Sequence, residues 1–142
     1  MFDRERKGNP KLLSPLTLAF VGDAVFGLLV RERLADLDLA AGKLHPASVK
    51  LVRAGAQAKA METLLPLLTE EEEGIYKRGR NAHTGGIPKN ASVGEYHAAT
   101  GLEALFGFLY LAGREERVRE LFENVWEASD IGKEARRPSK KG

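Results

Sequence analysis

The sequence predicts an all-α fold, a helical bundle formed by one domain. Two Ser/Thr-x-x-Glu capping boxes, a Ser-Pro helix start and several apolar patterns at helical spacing support this prediction. No segment shows the sustained apolar–polar alternation that is typical of a half-buried strand. With 142 residues, of which 43% are hydrophobic and 30% charged, the chain can bury a core of its own.

The first two helical segments are marked by prolines. Ser14 is placed to cap the first helix, with Pro15 at the first helical position. The second segment is expected to begin near Pro46 and to run as one amphipathic helix to Pro66. In the first segment, the following apolar residues recur at helical spacing: Leu16, Phe20, Val21, Val25, Leu28 and Leu29.

The later helices begin with capping boxes. Thr69 and Glu72 form one such pattern, and Ser92 and Glu95 form the other. The helix that starts at Ser92 is expected to end at Gly113, and a further amphipathic segment follows it. These signals complete the all-α prediction.

Composition narrows the class of protein. The chain has no cysteine, so disulfides and thiolate metal sites are excluded. No apolar run reaches the length of a membrane helix, and the charged N-terminus is unlike a secretory signal, so we expect a soluble cytoplasmic protein. Residues 133–142 carry five basic residues and one acidic residue, which leaves 17 of the 22 basic and 19 of the 20 acidic residues in the remainder. We therefore predict a globular domain over residues 1–131 and a basic, disordered tail over residues 132–142.

Two carboxylates lie in otherwise apolar segments. Asp23 is surrounded by the run AFVGDAVFGLLV, and Glu103 lies in ATGLEALFGFLYL. We expect both to be buried, and two bare buried acids would repel each other. A divalent cation between them would remove this penalty, and Mg²⁺ suits a site with only two carboxylates because it keeps several waters.

Other interpretations of these residues remain open. A core aspartate often accepts hydrogen bonds from backbone amides instead of binding a metal. Thr100 lies three residues before Glu103 on the same helical face, where its hydroxyl is a candidate supporting group. A helix threonine can equally bond to its own backbone.

A basic loop supplies candidate contacts to phosphate. The segment YKRGRNAHTGGIPKN contains no acid, and two adjacent glycines and a proline predict a loop within it. Arginines fork onto phosphate oxygens and exposed backbone allows close approach, whereas the alternative is a solvated loop after a basic helix end. The candidate residues for contact with a phosphate backbone are Lys77, Arg78, Arg80, Asn81 and Lys89.

Two of these motifs together resemble a known family. The segment LAFVGDAVFGLLVRERL resembles the signature helix of ribonuclease III domains, and YHAATGLEALFGFLYLAG resembles the family's second metal-binding helix. The resemblance covers residues 12–128. The chain has Ala19 and Thr100 where the long enzymes carry further acids, and no room for a double-stranded-RNA-binding domain. It is therefore most similar to the short branch of the family, mini-ribonuclease III.

The resemblance implies a function and a site. It implies a homodimer with the ribonuclease III fold that cleaves double-stranded RNA with Mg²⁺, or with Mn²⁺ as an expected substitute. It also implies the stem of the large-subunit (23S) ribosomal RNA precursor as substrate. Asp23 and Glu103 would then be the catalytic metal ligands, with Thr100 supporting them. The lower number of acids leaves the number of metals undecided.

Two other functions fit the same residues. One is a non-catalytic helical RNA-binding module, such as a ribosome-assembly factor that has kept the fold and lost two acids. The other is a structural helical dimer in which the two acids pair with Arg31 or Arg53.

Overall fold

Seven α-helices and two short 3-10 turns make up the part of the chain that the structure, a computed structural model, describes: residues 5–82 and 92–136. Those ranges contain no strand, so the all-α prediction is confirmed. The 3-10 turns are Pro10–Leu12 and Leu65–Leu67. The helices are α1 (Pro15–Ala35), α2 (Ala41–Val52), α3 (Ala54–Leu64), α4 (Glu70–Arg80), α5 (Val93–Leu111), α6 (Glu115–Ala128) and α7 (Asp130–Ala135).

Three of the predicted helix starts, at Ser14, Thr69 and Ser92, are confirmed. The Ser14 side chain accepts a hydrogen bond from the Leu16 amide, and a proline occupies the first turn of α1. Both capping boxes form completely, at the start of α4 and at the start of α5. Gly113 ends the α5 segment with a φ of +76°, a backbone conformation that glycine adopts easily.

The second predicted segment is two helices instead of one. α2 begins at Ala41, with Pro46 inside it, and ends where Arg53 adopts an extended conformation with ψ of 154°. α3 then starts in a new direction and packs against α5. The prediction of a single helix from Pro46 to Pro66 is therefore wrong. The sequence does not mark the break, because arginine, the residue at position 53, is not a type that disfavours helix.

The core is built around α5. This helix packs against α1, α3, α4 and α6, and most of its residues are buried. Phe26 of α1 contacts Phe106 of α5 and Phe122 of α6 edge-to-face, with ring centroids 5.4 and 5.5 Å apart. The central position of α5 fixes the backbone around Glu103 on several sides.

The C-terminal end continues as a short helix. The Ser129 side chain caps α7, and Gly132 packs against the Trp126 carbonyl, where a Cβ would lie 1.8 Å from the oxygen. The predicted boundary between residues 131 and 132 therefore falls inside α7, which continues to Ala135. The rest of the predicted tail, residues 137–142, lies outside the described residues.

Within the described ranges, no helix is both long and apolar enough to cross a membrane.

Candidate active site

Two carboxylates meet where α1 crosses α5. Glycines allow a close approach of the two backbones: a Cβ on Gly22 would lie 1.6 Å from the carbonyl oxygen of Glu103, and one on Gly107 would lie 1.9 Å from that of Leu18. Asp23 directly follows Gly22, and its carboxyl group lies close enough to that of Glu103 to raise the pKa of Glu103. The structure thus brings together the two acids that the sequence singled out, and we call them the acid pair.

The expectation that Asp23 is buried is wrong. Asp23 is exposed in this chain because α1 buries only one face. On the exposed face, Leu16 is 37%, Phe20 81% and Leu28 41% accessible, although all three belong to the apolar pattern that predicted a core helix. Val25 and Leu29, on the opposite face, are buried. The acid pair therefore lies at the surface, with Asp23 outermost and Glu103 half-buried beneath it.

Glu103 is strongly perturbed by its surroundings. Burial above all, together with the proximity and negative charge of Asp23, raises the pKa of Glu103 to about 8. The Gln57 amide acts in the opposite direction and lowers that pKa. At neutral pH the metal-free Glu103 therefore holds a proton beside the Asp23 carboxylate.

No base neutralises the acid pair. Among residues 5–82 and 92–136, neither Asp23 nor Glu103 forms an ion pair. Arg31 instead donates to the carbonyl of Gly27. The alternative in which the acids pair with Arg31 or Arg53 is therefore not what the described residues do.

Thr100 is bonded to its own helix. The hydroxyl of this buried residue donates to the Tyr96 carbonyl at 3.0 Å, which is the backbone-bonded alternative. Its supporting role beside Glu103 stays a prediction.

The predicted RNA-binding residues on α4 already have partners within the protein. Lys77 pairs with Glu73 one turn earlier, at 2.9 Å. Arg80 lies over the Tyr76 ring, 5.6 Å from its centroid, and donates to the side chain of Asn81 at 3.4 Å.

Arg78 has a structural partner instead of a free guanidinium. It donates to the backbone carbonyls of Lys11 and Leu13, at 3.0 and 3.1 Å, and so fastens the segment before α1 to α4. Lys89 and the two glycines of the loop lie outside the described residues.

One residue at the site was missed by the sequence analysis. Gln57 of α3 is only 2% exposed, it lies close enough to Glu103 to lower the pKa of that residue, and its Nε2 has no hydrogen-bond partner among the described residues. Buried amide groups in native proteins are nearly always bonded. The available signal was composition: Gln57 is the only glutamine in the chain and stands in the small-residue run RAGAQAKA.

The acid pair fits a hard divalent cation. Both side chains offer carboxylate oxygens, neither forms an ion pair within residues 5–82 and 92–136, and Asp23 is accessible from solvent. In the part of the chain that the structure describes, no group of three or more His, Cys, Asp or Glu side chains could hold a metal ion. Two carboxylates suit Mg²⁺, which keeps several waters and completes its shell with phosphate oxygens of a substrate.

Comparison with known proteins gives consistent matches. Residues 16–114 match the family model described as the Ribonuclease III domain. The chain is 47% identical over 119 residues to a mini-ribonuclease 3 of Symbiobacterium thermophilum, covering 83% of this chain and 92% of that protein. It is 44% identical over 127 residues to a mini-ribonuclease 3 of Brevibacillus brevis, covering 89% and 95%.

A solved structure has the same fold. The crystal structure of a protein from Fusobacterium nucleatum, 32% identical in sequence, matches with a TM-score of 0.74 and covers 80% of this chain and 92% of that one. Both members of the acid pair lie within the matched family region.

Proposed function

Because the chain belongs to the ribonuclease III family and is an endoribonuclease, we propose that it cuts double-stranded RNA with Mg²⁺ held by Asp23 and Glu103. The observation that carries the proposal is the acid pair, two neighbouring carboxyl groups that form no ion pair with any of the described residues. Paired acids of this kind are unfavourable for a merely structural role, and groups with strongly perturbed pKa values cluster at functional sites.

The chain's own residues prepare the site in three ways. The glycine crossing of α1 and α5 fixes the separation of the two carboxylates. Asp23 is exposed, so a cation bound to it would be open to a substrate phosphate, while Glu103 is held on the central helix beneath it. The bound cation would supply Lewis-acid activation of water and neutralise charge on the attacked phosphodiester. Binding the cation requires Glu103 to release its proton to solvent.

A second copy of this chain is the partner that we propose for the exposed face of α1. Leu16 and Phe20 lie on the same helical face as Asp23, Leu28 is exposed further around the helix, and a phenylalanine that is 81% exposed is costly in an isolated chain. Covering this face in a two-fold dimer would place two acid pairs near the interface. One site for each strand of the duplex follows from that symmetry.

The RNA substrate would be recognised by its backbone. A-form duplexes are bound through phosphates and 2′-hydroxyl groups instead of through their deep major groove. The exposed Lys77 and the half-buried Arg80 are the described cations that we assign to phosphate contact. We further propose the stem of the large-subunit (23S) ribosomal RNA precursor as the natural substrate, which the resemblance to the short branch of the family implies, and the cytoplasm as the location, which the composition suggests.

Incubation of the purified protein with a labelled RNA duplex tests the proposal. The wild type should cut in Mg²⁺ and not in chelator, and Asp23→Asn should not cut in either. If both proteins bind the duplex equally in chelator and neither cuts it, the chain is a non-catalytic RNA-binding module. The stem of a 23S precursor and an unrelated duplex of equal length, compared at the same Mg²⁺ concentration, test the natural substrate.

The dimer has its own test. Wild type should sediment as a dimer, and Phe20→Glu should shift it towards monomer while leaving helix content unchanged. The matched control is Leu65→Glu, which changes an exposed leucine in the 3-10 turn after α3. This variant should remain dimeric. A wild-type protein that is monomeric at all concentrations would contradict the proposed dimer.

A further inference from the structure

Gln57 is a buried polar residue that the proposed mechanism does not yet use. It lies on α3 and is 2% exposed, and its amide nitrogen Nε2 has no hydrogen-bond partner of normal geometry. The other buried polar side chains of the described residues behave differently. Ser48 donates to the His45 carbonyl, Thr100 donates to the Tyr96 carbonyl, and Glu72 is bonded to arginine.

Its surroundings show where the amide is directed. α3 and α1 both pack against α5, and the Gln57 side chain of α3 lies close enough to Glu103 to lower the pKa of its carboxyl group, whereas Asp23 of α1 raises it. Glutamine is an amide donor with two N–H groups, and a carboxylate accepts them through its lone pairs. Because Gln57 is buried, it cannot contact RNA directly.

Packing alone does not account for a glutamine at this position. A buried amide without a partner is less favourable than an apolar side chain of the same volume. The neighbouring helix positions are small or apolar, with Ala54, Ala58 and the buried Met61 on the same helix. An unbonded polar group that faces a reactive carboxyl indicates a role in the reaction.

We propose that Gln57 is a positioning residue for Glu103, whose Nε2 donates to the Glu103 carboxylate and holds it in the orientation needed to share a cation with Asp23. The inference rests on the proposed function of the acid pair. Groups that bond to a metal ligand from behind restrict its rotation and tune its basicity, and their loss costs about 10- to 100-fold in metal affinity or activity. Gln57 is in the position to do this for the half-buried member of the pair.

Gln57→Met tests the proposal because methionine has a similar length and no donor. The midpoint of the Mg²⁺-induced rise in Tm, and the Mg²⁺ concentration for half-maximal cleavage, should both increase about 10- to 100-fold. Cleavage at saturating Mg²⁺ should recover most of the wild-type rate. The Tm of the metal-free protein should stay equal or rise, because an unbonded buried amide has been removed.

Controls separate a positioning role from a structural one. Ser48→Ala removes a buried polar group on α2 that is bonded to its own helix, and it should leave the Mg²⁺ midpoint unchanged. An unchanged midpoint in Gln57→Met together with a lower metal-free Tm would overturn the inference and make Gln57 structural. If Gln57→Met does not fold, Gln57→Leu gives the same two measurements.

Measurements on the wild-type protein and Asp23→Asn distinguish a failure of the proposed function from a failure of the proposed role of Gln57. If wild type shows neither cleavage nor a Mg²⁺ effect on Tm, the proposed function fails. If wild type responds to Mg²⁺ and Asp23→Asn does not, while Gln57→Met behaves as wild type, only the role of Gln57 fails.

Discussion

Acidic side chains in two regions of this molecule have opposite surroundings and opposite pKa shifts. Glu72 is 2% exposed and accepts hydrogen bonds from two nitrogens of Arg117, both at 2.8 Å, and from the backbone of Thr69. The Arg117 guanidinium holds the pKa of Glu72 below its usual range. In the acid pair, burial and the neighbouring Asp23 raise the pKa of Glu103 to about 8 instead.

The difference separates an acid that stabilises the fold from acids that serve the reaction. Around Glu72, one carboxylate closes a capping box and fastens α4 to α6 through a bidentate arginine. Around Glu103, the fold brings a second acid near and provides no base among the described residues. The second arrangement is unfavourable until a cation binds, which is the property expected of a metal site.

The largest expected effect is on catalysis. Asp23→Asn and Glu103→Gln should each lower the cleavage rate by about 1000-fold or more, because each removes an anionic ligand of the cation. Neither should lower metal-free stability by more than about 1 kcal/mol, because the protonated Glu103 is neutral at pH 7 and the Asn or Gln side chain can still hydrogen-bond to the remaining acid. Initial rates on a labelled duplex check this, with Asp36→Asn, at the exposed end of α1, as the control. Rates within tenfold of wild type would place the reaction elsewhere.

The second-largest expected effect is on the stability of the region around Glu72 and Arg117. Glu72→Gln leaves Arg117 without its buried partner and should lower the free energy of unfolding by about 3 kcal/mol. Glu73→Gln, one residue along the helix, removes only the exposed pair with Lys77 and should cost less than about 0.5 kcal/mol. Urea denaturation measures both. Equal losses in the two variants would mean that the Glu72–Arg117 ion pair contributes no more to stability than the exposed pair of Glu73 and Lys77.

The two regions should also respond oppositely to pH. Folded metal-free Glu103 keeps its proton above pH 4.5 while the unfolded chain loses it, so stability falls as pH rises from about 4.5 to 8. Glu72 has a lowered pKa, so its contribution is present above pH 4.5 and is lost as pH falls below that value.

Unfolding in chelator between about pH 4.5 and 8 measures the loss of stability that Glu103 causes. We expect this loss to be about 2 kcal/mol after allowing for the partial exposure of Glu103. Glu103→Gln should flatten the alkaline side of the profile and leave the acid side unchanged. A wild-type profile that is flat between pH 5 and 8 would show that Glu103 titrates normally.

The smallest effect concerns RNA affinity. The double variant of Lys77→Ala and Arg80→Ala should weaken duplex binding about tenfold at moderate salt and lower the salt slope by about 2. Arg78→Ala should act mainly on stability, because its guanidinium bonds to the carbonyls of Lys11 and Leu13. Filter binding at several salt concentrations distinguishes them. An unchanged salt slope in the double variant would remove these residues from the RNA interface.

Local signals in the sequence predicted the fold well. Capping boxes and the Ser-Pro start depend on a few adjacent residues, so their geometry is readable without tertiary information. The break at Arg53 has no such signal, because it results from the way α3 packs on α5. A single helix was predicted there for that reason.

The sequence predicted which acids form the site but not how deeply they are buried. Acids within apolar segments mark Asp23 and Glu103, and the Gly-Asp sequence matches the close crossing that joins them. Whether the apolar positions of α1 face a core or a partner cannot be read from their spacing, so the exposure of Asp23 was missed. Gln57 was missed because its role depends on a contact between α3 and α5 that no local pattern encodes.

Calorimetric titration of Mg²⁺ at pH 7, in two buffers with different ionisation enthalpies, tests the central claim most directly. If the acid pair holds the cation, Mg²⁺ must displace the proton on Glu103, so about one proton should be released for each Mg²⁺ bound at that site. Glu103→Gln should abolish the release and Asp23→Asn should weaken binding. Mg²⁺ binding without proton release, and with equal affinity in all three proteins, would contradict the assignment of the cation to the acid pair.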